Sequence, residues 1–135
     1  MELREISKLF YRLKLANQEM TTKFEKETGF SLTRYELMMF LKEHGQCTQT
    51  ILQNELLIDS AAVTRHLKVL EEKDYVTRER NKQNNREVLV TITDTALNDL
   101  MTCEENHANK PDAIDLPLES EEAEVLLRLL TKLVK

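Results

Sequence analysis

The stretch from Asp59 to Thr93 changes its hydrophobic rhythm once, and that change limits the folds open to the chain. From Asp59 to Lys73, Leu67 and Leu70 fall within about 40° of Val63 at 100° per residue, which is helical spacing. Asp59 or Ser60 is the expected N-cap. Beyond Asp74 the period drops to two. Val76–Arg80 and Glu87–Thr93 read as short strands, with Val88, Val90 and Ile92 alternating onto one face. A helix running at once into a hairpin, in a chain with 2 Gly, 2 Pro and plentiful Leu, Glu and Lys, predicts a mainly α fold with a small β-hairpin wing.

The predicted helix has a second face. Ala61, Thr64, Arg65 and Lys68 lie opposite the aliphatic stripe, so one side is small and basic. The turn that follows, RNKQNNR from Arg80 to Arg86, contains no carboxylate. A net charge of −5 argues at first against nucleic acid, whose binding depends on phosphate neutralisation. Ser60 to Arg86 nevertheless holds seven Lys or Arg and four acids, a surplus of three positive charges that leaves −8 on the rest. A local basic zone on an acidic body is the footprint of a nucleic-acid reader.

Around this segment the chain reads as helix. Residues 2–27 carry Leu3, Ile6, Phe10, Leu13, Met20 and Phe24 at roughly helical spacing, and Gly29 is a stop. Thr33 with Glu36 is expected as a capping box for a second helix ending near His44 and Gly45. Thr48 caps a short third helix with Ile51, Leu52 and Leu56, and Cys47 falls in the loop before it. Residues 94–109 are helical again. Pro111 and Pro117 bracket a break, and a last helix begins near Ser120 with Val125, Leu126, Leu129, Leu130 and Leu133. The 135 residues read as one domain: a winged helix-turn-helix over 30–93, and helices at 1–28 and 94–135 whose apolar stripes either close an intramolecular bundle or, the favoured reading for so small a body, pair with a second copy.

Helix, short helix, two-faced helix and hairpin is the order of a winged helix-turn-helix. An α-helix fits the major groove, where small residues allow close approach and Arg reads guanine edges bidentately. The candidate DNA contacts on the helix are Ser60, Ala61, Ala62, Thr64, Arg65 and Lys68. On the wing they are Arg80, Lys82, Asn84, Asn85 and Arg86, the last entering the minor groove. An Asn is expected to take a positive φ in this turn, which lacks Gly.

The sequence resembles the MarR family of bacterial transcription regulators. The likeness lies in Val-Thr-Arg-x-Leu-x-x-Leu-Glu-x-Lys from Val63 to Lys73, the wing Arg86, the Val-x-Ile-Thr ending at Thr93, and Leu-Thr-x-x-Glu from Leu32 to Glu36. The resemblance implies a homodimer with interleaved terminal helices, bound to a pseudo-palindromic double-stranded DNA operator, usually as a repressor. It also implies release by a small lipophilic or anionic effector lodged between the dimerisation helices and the winged part. The chain departs from the family at Asn84, where an Asp commonly supports the wing arginine, and at Ala96, where a Gly is usual.

Other readings carry less. No cofactor or membrane partner is expected: no apolar run approaches the roughly 20 residues of a bilayer span. There is no Gly-rich phosphate loop, nucleophile elbow or metal-protease helix, so an enzyme is not expected. Two cysteines fit a reducing cytoplasm. Cys103 and His107, four apart, have the spacing of half a metal site, but a filler thiol and a surface imidazole is the simpler account. Cys47 as a redox switch needs a lowered pKa and a resolving partner. His44 is expected to cap or pack, and His66 to be partly buried. A winged-helix module that binds protein instead of DNA is the competing class. Its mark is an acidic or bulky apolar recognition face, which Ala61, Thr64, Arg65 and Lys68 do not make.

Overall fold

The computed structural model describes residues 1–134. In chain order it contains α1 (Leu3–Thr28), α2 (Leu32–His44), β1 (Cys47–Thr48), α3 (Gln49–Leu56), α4 (Ser60–Glu72), β2 (Val76–Arg80), β3 (Val88–Ile92), α5 (Asp94–Asn109) and α6 (Ser120–Leu133). The three strands form one antiparallel sheet in the order β1-β3-β2. In the hairpin, Val76 stands opposite Ile92 and Arg80 opposite Val88.

The core lies where α2, α3, α4 and the sheet meet. Leu37, Met38 and Leu41 of α2, Leu52 of α3, and Val63, Leu67 and Leu70 of α4 are all at most 1% exposed. Val76, Val90, Ala96 and Leu100 complete the cluster from β2, β3 and α5. Each buried Leu contributes about 1.5–3 kcal/mol of transfer free energy, so the stripe at 63, 67 and 70 fixes which way α4 faces. Thr48, Asp59 and Thr93 each accept a backbone N–H three residues on (Ile51, Ala62 and Ala96), capping α3, α4 and α5. The substitution at Ala96 is absorbed in this way: its N–H meets Thr93 and its methyl is fully buried.

The terminal helices differ. Neither α1 nor α6 has a buried residue. Leu3, Phe10 and Tyr11 on α1, and Val125, Leu127, Leu129 and Leu133 on α6, are exposed.

Four expectations need correction. The cap of α2 is Ser31 rather than Thr33: its hydroxyl accepts the Arg34 N–H at 3.4 Å, and Glu25 reaches from α1 to take the Leu32 N–H at 2.9 Å. Cys47 is not in a loop; it pairs with Val90 in β1 and is buried. The second hairpin strand is shorter by one residue at each end, leaving Glu87 and Thr93 to make turn and cap. No Asn has a positive φ. Among the described non-glycine residues that conformation falls to Leu57 and Asp74, just beyond α3 and α4.

Candidate nucleic-acid interface

Because the aliphatic stripe of α4 is sealed against the core, its other side faces out. Ser60, Ala61, Thr64, Arg65 and Lys68 are exposed there. The Thr64 hydroxyl donates to the Ser60 carbonyl at 3.0 Å. Among the described residues neither Arg65 nor Lys68 forms a salt bridge. The helix therefore presents two free cations beside small side chains. Ala62 is the exception to the expected set. Its side chain is 9% exposed, and its N–H is held by Asp59 at 2.7 Å. That burial leaves its methyl little free surface to offer a duplex.

The wing is built from amides. The Asn81 N–H donates to the Glu87 carbonyl, the Asn84 N–H to Asn81, and the Glu87 N–H to Asn84, at 2.9, 3.2 and 3.0 Å. The Asn81 side-chain oxygen accepts the Gln83 N–H, and that of Asn84 accepts the Arg86 N–H. These are Asx turns, which reinforce the backbone bonds of the same turns, and no asparagine in them takes a positive φ. The amide groups of Asn81 and Asn84 then donate to the two carboxylate oxygens of Glu87, at 3.4 and 3.2 Å. Asn84 thus supports the position of Arg86 through its main chain, without a carboxylate against the guanidinium.

The basic residues of this region divide into two kinds. Arg78 is spent internally, with its guanidinium on Glu71 of α4 and an N–H to Gln49 at 3.4 Å. Arg80 braces the tip by donating to the Asn85 carbonyl at 2.8 Å. Lys82 and Arg86 are exposed, and among the described residues neither is in a salt bridge. The sequence marked Arg80, Asn84 and Asn85 as contacts. Two of them, Arg80 and Asn84, shape the tip with their side chains, and Asn85 does so with its carbonyl. Asn81 and Glu87, which do the rest of that work, carried no sequence signal beyond being polar.

The other chemically notable groups point away from a reactive centre. Burial pushes the Cys47 thiol up, and burial followed by the Glu104 charge does the same to Cys103, the reverse of an activated thiolate. His44 Nδ1 donates to the Phe40 carbonyl at 3.2 Å, and its ring stacks on that of Phe40. His66 is half-buried, as its wheel position predicts. Among the described residues no cluster of three His, Cys, Asp or Glu could hold a metal. A hollow of ≈ 420 Å³ lies between the ends of α1 and α5 and the following loop, lined by Glu27, Cys103, Asn106, His107 and Lys110 among others. It shares Thr28, Cys103 and Asn106 with a second hollow of ≈ 270 Å³ that reaches Tyr75 and Asp99. No described helix is long and apolar enough to cross a membrane.

Residues 30–88 match the model of the MarR family. An uncharacterized HTH-type transcriptional regulator of Bacillus subtilis, YdgJ, is 44% identical over 90 residues. That alignment covers 67% of this chain and 55% of the relative, so the chain spans little more than half of that relative's length. Among solved structures, a mutant MarR from E. coli complexed with operator DNA superposes with a TM-score of 0.84 at 22% identity, over 100% of both chains. The transcriptional repressor CouR bound to a DNA duplex gives 0.84 at 20% identity, over 100% of this chain and 99% of the other. At these identities the structural likeness is one of fold. The family match covers the winged helix from α2 into β3, where the two-faced helix and the amide-built tip lie, and this part of the chain, residues 30–88, belongs to the MarR family.

Proposed function

We propose that this chain is a sequence-specific DNA-binding transcriptional regulator. It acts as a homodimer on a pseudo-palindromic operator, represses when bound, and is released by a small effector. The observation that carries this reading is the outward face of α4: Ala61, Thr64, Arg65 and Lys68, small and cationic, backed by a sealed stripe. Such a face fits the major groove, with Arg65 reading guanine and Lys68 on phosphate, while Lys82 and Arg86 follow the backbone into the adjacent minor groove. Two proteins of the same fold are described in complex with DNA, which supports the same use here. The protein-binding alternative lacks an acidic or bulky apolar surface on this helix.

Dimerisation is supported by the exposed apolar residues of α1 and α6, which a single copy leaves in water. Two recognition helices then enter successive major grooves about 34–36 Å apart. An effector in the hollow beside Cys103 and His107 would shift binding only through different affinity for the two dimer geometries.

The test is a salt-varied titration against a randomised duplex pool, with sequencing of the bound species. The expected result is an enriched inverted repeat bound with a steep salt slope. Retention of no sequence by the dimer, at any salt, would remove the specific-regulator reading.

A further inference from the structure

α2 carries a cation where its own stability asks for none. Arg34 lies in the first turn, close to the partial positive charge of the helix N-terminus, and that turn contains no acid. The side chain does not find a carboxylate in the fold either: among the described residues it forms no salt bridge. Its partner is a ring nitrogen on the recognition helix, with Arg34 Nη1 3.3 Å from His66 Nδ1.

That contact fixes the chemistry of both groups. A guanidinium only donates and keeps its charge in proteins, so His66 Nδ1 must accept and the ring is neutral, with its proton on Nε2. One of the five N–H groups of Arg34 is used, and the others are left for a second acceptor. Burial, then the charge of Arg34, then that of Arg65 hold the His66 pKa below its ordinary value. Arg34 and Arg65 therefore act on His66 from two different helices, and the positive potential of the reading face continues past α4 onto α2.

We infer that Arg34 is a further DNA-backbone contact, with the neutral ring of His66 as the positioning residue that holds its guanidinium beside α4 to receive a phosphodiester. This inference rests on the proposed DNA-binding function and extends its footprint. A recognition helix in the major groove has a phosphate strand on each flank. The wing serves one flank, and Arg34 serves the other. A phosphate there supplies the countercharge that the fold withholds. The guanidinium adds affinity without reading bases, because phosphate contacts position the protein and carry no sequence information directly.

The experiment uses the full chain and three variants, titrated with an operator duplex and with random duplex over a range of salt. Arg34→Gln keeps much of the length and a donor for His66 but loses the charge. The expected result is a salt slope smaller by about one per protomer and an affinity loss of about five- to tenfold per contact near 0.1 M salt, similar on both duplexes. Arg34→Lys should retain the slope. His66→Leu should also retain most of the slope while weakening binding, since the charge remains but its placement is lost. Urea unfolding of each variant tests the competing role of a strut between α2 and α4. An unchanged slope and affinity in Arg34→Gln, with or without a lowered unfolding midpoint, would overturn the inference while leaving the DNA-binding reading intact. Failure of the unaltered chain to bind either duplex in a salt-dependent way would overturn both.

Discussion

Replacing Arg65 by Ala separates reading from folding, because the side chain has no partner whose loss would complicate the result. It is exposed on the outer face of α4, and among the described residues it is in no salt bridge. Truncation leaves no buried group unsatisfied, and alanine favours the helix, so stability should change by no more than about 0.5 kcal/mol. The binding cost is of another order. A bidentate arginine–guanine contact is worth about 1–3 kcal/mol of discrimination, roughly 5- to 150-fold per half-site. A homodimer loses the contact twice, about 2–6 kcal/mol if the half-sites are independent. That is a large part of the roughly 4–10 kcal/mol that separates specific from non-specific binding.

The assay is fluorescence anisotropy with the selected operator and with a scrambled duplex of equal length and composition, at one fixed salt concentration. Operator affinity should fall by far more than scrambled-duplex affinity, with the urea midpoint unchanged. An equal factor on both duplexes would refute the argument and make Arg65 a phosphate clamp. No change on the operator would remove it from the interface altogether.

Two further outcomes concern the scaffold behind the reading face. Leu67→Ala removes a fully buried side chain from the middle of α4, and should cost about 2–5 kcal/mol, out of roughly 5–15 for a domain. A urea midpoint within error of the parent would show that the stripe does not anchor the helix. Tyr75 donates to Asp99 of α5 at 2.5 Å. That hydrogen bond first, then burial and the Asp99 charge, push its pKa from 10.0 up to about 12. The folded state holds this proton more tightly than the unfolded chain, so the contribution is full below pH 10.0 and is lost as pH rises towards about 12. Tyr75→Phe should flatten the alkaline loss of stability in that window. Parallel curves for the two proteins would contradict this.

What the sequence disclosed was set by local rules. Val63, Leu67 and Leu70 need only the helical period, and Thr48 and Asp59 cap helices within three residues of themselves. What it concealed depends on distant partners. Ser31 and Thr33 are both acceptable caps, and the choice turns on Glu25 reaching across from α1. β1 is two residues long, too short to show a period, and exists because Cys47 and Thr48 find Val90 and Leu89. The methyl of Ala62 reads equally well as a close approach to DNA or as packing until the tilt of α4 is known. The left-handed residues are Leu57 and Asp74 at helix ends, whereas composition directs attention to the asparagines.

The same distinction applies to charge. Counting Lys and Arg from Ser60 to Arg86 points to the candidate interface but overstates what is available, since Arg78 is neutralised by Glu71 and Arg80 is committed to the Asn85 carbonyl. The counts cannot show that the tip is assembled from Asn81, Asn84 and Glu87, with its shape independent of Lys82 and Arg86 side chains. This separation has a consequence for association. The free cations of α4 and the wing lie within Ser60–Arg86, and the residues outside that segment sum to −8. A polyanion is then attracted to one face and repelled by the body. The asymmetry orients the encounter before any base is read, and it weakens with salt. An overall basic protein would bind DNA in many orientations. An acidic one with a small uncompensated basic face gives up non-specific affinity and favours the orientation in which α4 meets the groove.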